Sequence, residues 1–265
     1  MGYWEIQSVV LPLQLHDVLT IRVERDAGIR VTCNDPRVAT DETNTCYRAA
    51  RLVLERAAPF EGGLAIDIDK RIPVSSGLGG GSSNAAAVLL TLNGVLNLRM
   101  DVSEVARKAH SISRDSYFFC HARPAYVEKH ADALTPLPQY QGALTCALVD
   151  AGIPFIRDKA GFVMGRVSSG ARKKDVLPGF VSAWLGADAA AIRNCGYNFM
   201  TESLVPEYRK AFDIKRAASA ELGLELNFTG TGPFLAAVFD GPVNQGLKEL
   251  CNSMGATVSC CRVLT

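Results

Sequence analysis

The chain has 265 residues, 48% of them hydrophobic and 21% charged, which excludes a disordered or fibrous protein and supplies a core for one large domain or two ordinary ones. A formal net charge of +1 provides no field to gather nucleic acid or anionic lipid. The one basic run, Arg172-Lys173-Lys174, is followed by Asp175 and reads as a solvated loop, so neither nucleic acid nor membrane is an expected partner.

The opening MGYWEIQSVVLPLQL has no basic n-region, and Glu5, Gln7 and Pro12 interrupt its apolar residues, so it reads as neither a secretory signal nor a membrane span. Ile6 stands where an N-myristoylation motif after Gly2 wants Ser or Thr. The eight cysteines show no C-x-x-C pair and read as reduced, mostly buried residues of a soluble cytoplasmic protein. His110, His121 and His130 lack the i,i+4 pairing that would suggest zinc.

Leu19, Ile21 and Val23 alternate with polar residues, as do Ile29, Val31 and Cys33 after Asp26-Ala27-Gly28, which predicts two strands joined by a tight turn. Cys46, Ala49, Ala50, Val53, Leu54 and Ala57 share a helical face, predicting a helix from Thr43 to Ala58. Leu64, Ile66 and Ile68 mark a half-buried strand, and Val88, Leu89, Leu92, Val95 and Leu96 form the buried stripe of a further helix. Asp101 and Glu104 start another helix, reaching Ser111. After Pro136 and Pro138 a domain boundary is expected near residue 140, and Ala143 to Val149 reads as a strand. Beyond it come a helix from Val205 to Leu222, a strand, glycine turn and strand over 226 to 239, a helix from Val243 to Ser253, and a last strand from Thr257 to Leu264.

Between the strand at Leu64 and the helix toward Leu96 lies Gly77-Leu-Gly-Gly-Gly-Ser-Ser83. A linker would separate folded units, whereas these glycines lie between a strand and a packed helix. They let the backbone approach a ligand closely, and the unpaired amides at the helix start attract phosphate. Ser82 and Ser83 add hydroxyls for phosphate oxygens or magnesium. No Gly-Lys-Ser/Thr closes the loop, so it is not a Walker A motif, and a purely structural turn stays open on these residues alone. Asp115, beside the run Tyr117-Phe118-Phe119, is either a carboxylate for proton transfer or a helix cap or partner of Arg114. The turn Thr229-Gly-Thr-Gly-Pro233 either joins two strands or holds phosphates.

Three segments together resemble the GHMP kinase superfamily: Ile68-Asp-Lys-Arg-Ile-Pro73 running into Gly77-Leu-Gly-Gly-Gly-Ser-Ser-Asn-Ala-Ala86, Asp115 with its aromatics, and Thr229-Gly-Thr-Gly-Pro233. Gly2-Tyr3, Leu11-Pro-Leu13 through Asp17, and Asn44 ahead of Arg48-Ala-Ala-Arg51 are similar too, so the likeness spans nearly the whole chain. It implies an α+β two-domain fold: a ribosomal protein S5 domain 2-like N-terminal domain over 1–140 and a ferredoxin-like C-terminal domain over 141–265, with the active site in the cleft between them.

The resemblance implies ATP and Mg2+ as cofactors. ATP would lie on Pro73, Val74, Ser75, Ser76, Gly77, Leu78, Gly79, Gly80, Gly81, Ser82, Ser83 and Asn84, with Lys70 and Asn44 beside its base or ribose and the cation on Ser82 or Ser83. Asp115 would be catalytic, facing the substrate hydroxyl. Tyr3 and Phe162 would sandwich a cytosine ring with Trp4 beside it, and Thr229, Gly230, Thr231 and Gly232 would hold substrate phosphates. The implied reaction phosphorylates the 2-hydroxyl of 4-diphosphocytidyl-2-C-methyl-D-erythritol, a small-molecule cytidine diphosphate sugar alcohol of non-mevalonate isoprenoid synthesis. A kinase for another small alcohol, such as mevalonate or homoserine, and a regulatory nucleotide-binding homologue without catalysis are the other readings. Oligomeric state has no sequence signal.

Departures from the family pattern gather on the substrate side. The family's first strand, Ala-Lys-Ile-Asn-Leu-x-Leu, whose lysine works with the aspartate, has no counterpart in these residues. Trp4 replaces a histidine that reads the cytosine edge, and indole has a donor but no acceptor. Ser113-Arg114 replaces a Gly-Ala pair, Glu128-Lys-His-Ala-Asp132 replaces Gly-x-Gly-Glu, and Arg157 stands for a threonine.

Overall fold

The computed structural model of the chain describes residues 5–57, 60–156, 159–166, 176–198, 200, 201, 204 and 206–265. Its described residues fall into two compact units. Those within Met1–Val10, Leu15–Val74 and Gly79–Leu137 form the first, and those within Leu11–Gln14, Ser75–Leu78 and Pro138–Thr265 form the second. The glycine segment thus contributes Ser75–Leu78 to one unit and its continuation from Gly79 to the other.

In the first unit, β2 (Val18–Glu24), β3 (Gly28–Cys33) and β4 (Gly63–Asp69) form a sheet in the order β2-β4-β3. The two strands expected to be joined by a tight turn exist, but they are not a hairpin. Strand β4 lies between them, antiparallel to β2 (Ile21 opposite Ile66) and parallel to β3 (Val31 opposite Ile66). Parallel pairing requires a crossover, and helix α1 (Thr45–Arg56) supplies it. Gly62 and Gly63 let β4 start hard against the β2–β3 connection: a Cβ on Gly62 would lie 2.5 Å from the Glu24 carbonyl oxygen, and one on Gly63 2.6 Å from that of Gly28. As the central strand, β4 buries Leu64, Ala65, Ile66 and Ile68, more than a half-buried strand would.

Helix α1 is capped by Asn44 and buries Cys46, Ala49, Ala50 and Val53. They meet Ala85, Ala86, Val88, Leu89 and Leu92 of α2 (Gly80–Val95) and Val105, Ala106 and Ala109 of α3 (Val102–Ile112) in one core with β4. Alanines on both α1 and α2 at this contact leave room for close helix packing. Val95, expected in the buried stripe, is 62% exposed, because the stripe continues through Leu96, four residues beyond Leu92. Asp101 caps α3 as its spacing indicates, accepting from the Glu104 amide at 2.7 Å. Helix α4 (Ser116–His121) follows. Strands β1 (Ile6–Val10), β5 (Ala125–Lys129) and β6 (Ala133–Pro136) make an antiparallel sheet around Phe118, Ala125 and Val127.

In the second unit, β7 (Thr145–Asp150), β8 (Asn227–Phe228), β9 (Leu235–Phe239) and β10 (Thr257–Arg262) form an antiparallel sheet ordered β10-β7-β9-β8. In chain order this is fourth, first, third, second, the ferredoxin-like arrangement. Helices α5 (Lys159–Met164), α6 (Leu177–Leu185), α7 (Ala189–Asn194), α8 (Arg209–Leu222) and α9 (Gln245–Ser253) complete it. Ala211, Ile214 and Ala218 of α8 and Leu247 of α9 meet Ala147, Val149 and Leu235 in the core. Helix α8 stops at Gly223, which takes the left-handed conformation (φ +62°) that closes many helices. All eight cysteines are free thiols. No helix among the described residues is long and apolar enough to cross a membrane.

Candidate functional site

A carboxylate lies beneath the start of α2. Asp17, just ahead of β2, has a fully buried side chain that accepts from Lys70 Nζ (2.9 Å), the Arg71 amide (2.8 Å), the Ile72 amide (2.7 Å) and Asn84 Nδ2 (2.8 Å). Burial pushes its carboxyl up, but the Ile72 and Arg71 amides, the Lys70 ammonium and the Asn84 amide outweigh that effect and hold it below the usual value. Lys70 also donates to the Ile72 carbonyl. A Cβ on Gly80 would lie 3.1 Å from Lys70 Nζ, so glycine lets α2 begin directly on the ion pair.

The expected nucleotide ligands take separate places within this frame. Lys70 and Asn84 both bind Asp17. Asn44 uses both ends of its amide locally: Oδ1 accepts from the Cys46 amide at 2.7 Å, and Nδ2 donates to the Ala39 carbonyl at 2.5 Å. Pro73 and Val74 carry the chain into the segment, where Ser75 (φ +65°), Gly77 (φ +84°) and Gly79 (φ +72°) take left-handed conformations. Ser76 is buried, and its hydroxyl accepts from the Leu78 amide at 3.4 Å.

In the first unit, Thr45 Oγ1 donates to the Gly81 carbonyl (2.7 Å), and Ser83 Oγ donates to the Gly80 carbonyl (2.9 Å). Ser82 Oγ lies 2.6 Å from Ser113 Oγ, and the buried Ser116 hydroxyl donates to the Ser82 carbonyl at 3.0 Å. Among the described residues, the amides of Gly79, Gly80, Gly81 and Ser82 donate to no protein acceptor. They are the helix-start amides that a bound anion can satisfy.

Asp115 occupies the N-cap position of α4, yet its side chain makes no capping hydrogen bond. Its Oδ2 lies 4.0 Å from where a Cβ on Gly79 would stand, and Phe119 Cε2 lies 2.7 Å from the same point. A residue 36 positions along the chain is thereby set beside the first glycine of the helix start.

The turn between β8 and β9 has its own fixings. Tyr208, fully buried and with its hydroxyl pushed up to about 12 by burial and by the neighbouring Glu207 carboxylate, donates to the Thr231 carbonyl at 2.9 Å. Asn198 Nδ2 donates to the Gly230 carbonyl at 2.6 Å. This turn stacks on Ser75–Leu78 of the same unit. Thr229 Oγ1 donates to the Ser76 carbonyl (2.7 Å), and Lys159 Nζ donates to the carbonyls of Ser75 (2.8 Å) and Gly232. A Cβ on Gly230 would lie 2.8 Å from the Gly77 carbonyl oxygen, and one on Gly77 2.9 Å from that of Gly232.

Phe162 lies on α5, partly buried against the core of the second unit, with the Arg166 guanidinium 3.7 Å from its ring centroid. Arg166 is held in turn by Glu207 at 3.1 Å. Tyr3, Trp4 and Arg157, with Gly2 and the basic run Arg172-Lys173-Lys174, lie outside the described residues. Sequence reasoning missed the contacts of Asp17, Ser113 and Lys159. Asp17 had a signal, a lone acid directly ahead of an alternating strand; a lysine that binds two distant carbonyls has none.

A sheet with a parallel β-α-β crossover leads here into a glycine helix start that has no P-loop lysine and is open to an anion. Residues 44–122 match the model of the GHMP kinases N terminal domain. A protein of Symbiobacterium thermophilum named 4-diphosphocytidyl-2-C-methyl-D-erythritol kinase is 32% identical over 244 residues, covering 89% of this chain and 83% of its own length. Its namesake in Acetivibrio thermocellus is 28% identical over 244 residues, covering 90% of this chain and 83% of its own. The crystal structure of a 4-(cytidine 5'-diphospho)-2C-methyl-D-erythritol kinase superposes with a TM-score of 0.74 at 25% identity, covering all of this chain and 92% of that one. The chain belongs to the GHMP kinases and, within them, to the 4-diphosphocytidyl-2-C-methyl-D-erythritol kinase family.

Proposed function

We propose that this protein is an ATP-dependent kinase for the 2-hydroxyl of 4-diphosphocytidyl-2-C-methyl-D-erythritol, a step of isoprenoid precursor synthesis. The observation that carries the reading is the Asp115 carboxylate beside Gly79, at a helix start whose amides have no protein acceptor among the described residues. Family membership supplies the substrate.

The chemistry follows from these groups. The 2-hydroxyl oxygen bonds to the γ-phosphorus of ATP as the bond from that phosphorus to the β,γ-bridging oxygen breaks, releasing ADP. Asp115 orients the hydroxyl and takes its proton. Phosphoryl transfer demands positioning and charge cancellation more than covalent help, and the amides of Gly79–Ser82 with the α2 dipole provide both. Mg2+ would be held by Ser82 or Ser83 together with the nucleotide phosphates. Ser83 already donates its proton to the Gly80 carbonyl, so its lone pairs remain for a hard cation. Bound there, the cation would neutralise charge on the transferred group. Lys70 supports the start of α2 through its ion pair with Asp17.

Purified protein with ATP, Mg2+ and the diphosphocytidyl substrate is expected to give ADP and the 2-phosphate in equal amounts. Asp115→Asn is expected to lower kcat by about 100- to 10,000-fold while ATP still raises the melting temperature. Nucleotide stabilisation of the native protein with no turnover would replace this reading by a non-catalytic nucleotide-binding one.

A further inference from the structure

Two consecutive carbonyls of the glycine segment are held by side chains of the second unit. Lys159 Nζ donates to the Ser75 carbonyl, and Thr229 Oγ1 donates to the Ser76 carbonyl. A peptide is planar, so fixing each carbonyl fixes the following amide in the opposite direction. Those amides belong to Ser76 and Gly77, and among the described residues neither donates to a protein acceptor. Ser75 is a non-glycine residue at φ +65°, a strained conformation that persists only where surroundings impose it. The Lys159 bond to its carbonyl is such an imposition. The same ammonium also donates to the Gly232 carbonyl, so one cation ties the Ser75 turn to the Thr229–Pro233 turn.

We infer that Lys159 is a positioning residue for the polyphosphate of the nucleotide: it holds the Ser75 peptide so that the Ser76 amide, and through Thr229 the Gly77 amide, face an incoming anion before one arrives. The inference rests on the reading of this segment as the phosphate loop. Lys159 touches main-chain oxygens, not phosphate, and it acts by prepaying the ordering of the loop.

The test compares ATP with adenosine, which has the same base and ribose and no phosphate, by calorimetry on the full-length protein. Lys159→Met is expected to weaken ATP by roughly tenfold or more, the scale of one charge-assisted hydrogen bond, and to leave adenosine within about twofold. Lys159→Arg, which keeps a cation with several donors, is expected to recover part of the loss. A core role alone would lower the melting temperature without separating the two ligands. If Lys159→Met does not fold, Lys159→Gln carries the same comparison. ATP bound as tightly by the variant as by the wild type, or ATP and adenosine weakened alike, would overturn the inference. A wild-type protein that binds no ATP would overturn the phosphate-loop reading itself and this inference with it.

Discussion

At the Gly79–Ser83 end of the glycine segment the groups beneath the backbone are buried and charged. At the Ser75–Leu78 end they are a half-buried hydroxyl and ammonium gripping main-chain oxygens. A buried carboxylate with four donors holds them together: losing it leaves an ammonium, two amides and a carboxamide without their shared acceptor, most of them buried. Bonds to carbonyls at a partly exposed turn can be lost one at a time, with water as the replacement. The first end should therefore report on stability of the fold, and the second on affinity.

Asp17→Ala breaks the comparison most sharply. Removing one partner of a buried ion pair costs about 3–5 kcal/mol, and urea unfolding is expected to show a loss of that size. Proton linkage gives the matching pH test. The Asp17 carboxyl is held below its ordinary value, so its contribution is fully present above the unfolded value of about 3.9 and fades as pH falls toward the lower folded value. The wild type is expected to lose stability steeply in that acid range, and Asp17→Asn to lose the steep part. A wild-type profile matched by Asp17→Asn would mean that Lys70 and Asn84 find other partners.

Gly77→Ala attacks the other end. Its φ of +84° disfavours any side chain, and the new Cβ would overlap the Thr229 carbonyl oxygen. Left-handed strain of about 1–2 kcal/mol with main-chain displacement predicts a destabilisation of about 2–3 kcal/mol and a larger proportional loss of ATP affinity. Equal losses of stability and affinity would erase the distinction between the two ends.

Much of this was legible in the sequence because periodicity and caps are local. The stripe at Cys46, Ala49, Ala50 and Val53, the Asp101 cap and the alternation around Ile66 depend on neighbours a few residues away, and each returned the element it indicated. Pairing is not local. Asp26-Ala27-Gly28 carries a hairpin signature, yet β4, reached only after a helix, takes the place between β2 and β3. Val95 shows the same limit at an element's end, where one step of rotation decides burial. Around the glycine segment the motifs name residues but not their contacts. Asn44, Lys70 and Asn84, expected beside the nucleotide, also bond Cys46, Ala39 and Asp17, which no motif announces. The partners that matter most, Asp17 under Gly80 and Lys159 on Ser75, stand 63 and 84 positions away, beyond any spacing rule.

The smallest expected effect sharpens the comparison from within one helix. Gly94, near the end of α2, is exposed, and a Cβ there would meet nothing within 4 Å. Glycine at such a site carries only its entropic cost, so Gly94→Ala is expected to stabilise the protein by about 0.5–1 kcal/mol and leave ATP affinity unchanged. Gly80, at the other end of the same helix, has Lys70 Nζ at 3.1 Å from the position of a Cβ and should not tolerate the exchange in the same way. If Gly94→Ala also altered ATP binding, stiffness transmitted along α2 would govern the loop, and the local contacts at Gly77, Gly79 and Gly80 would lose their claim to set its shape.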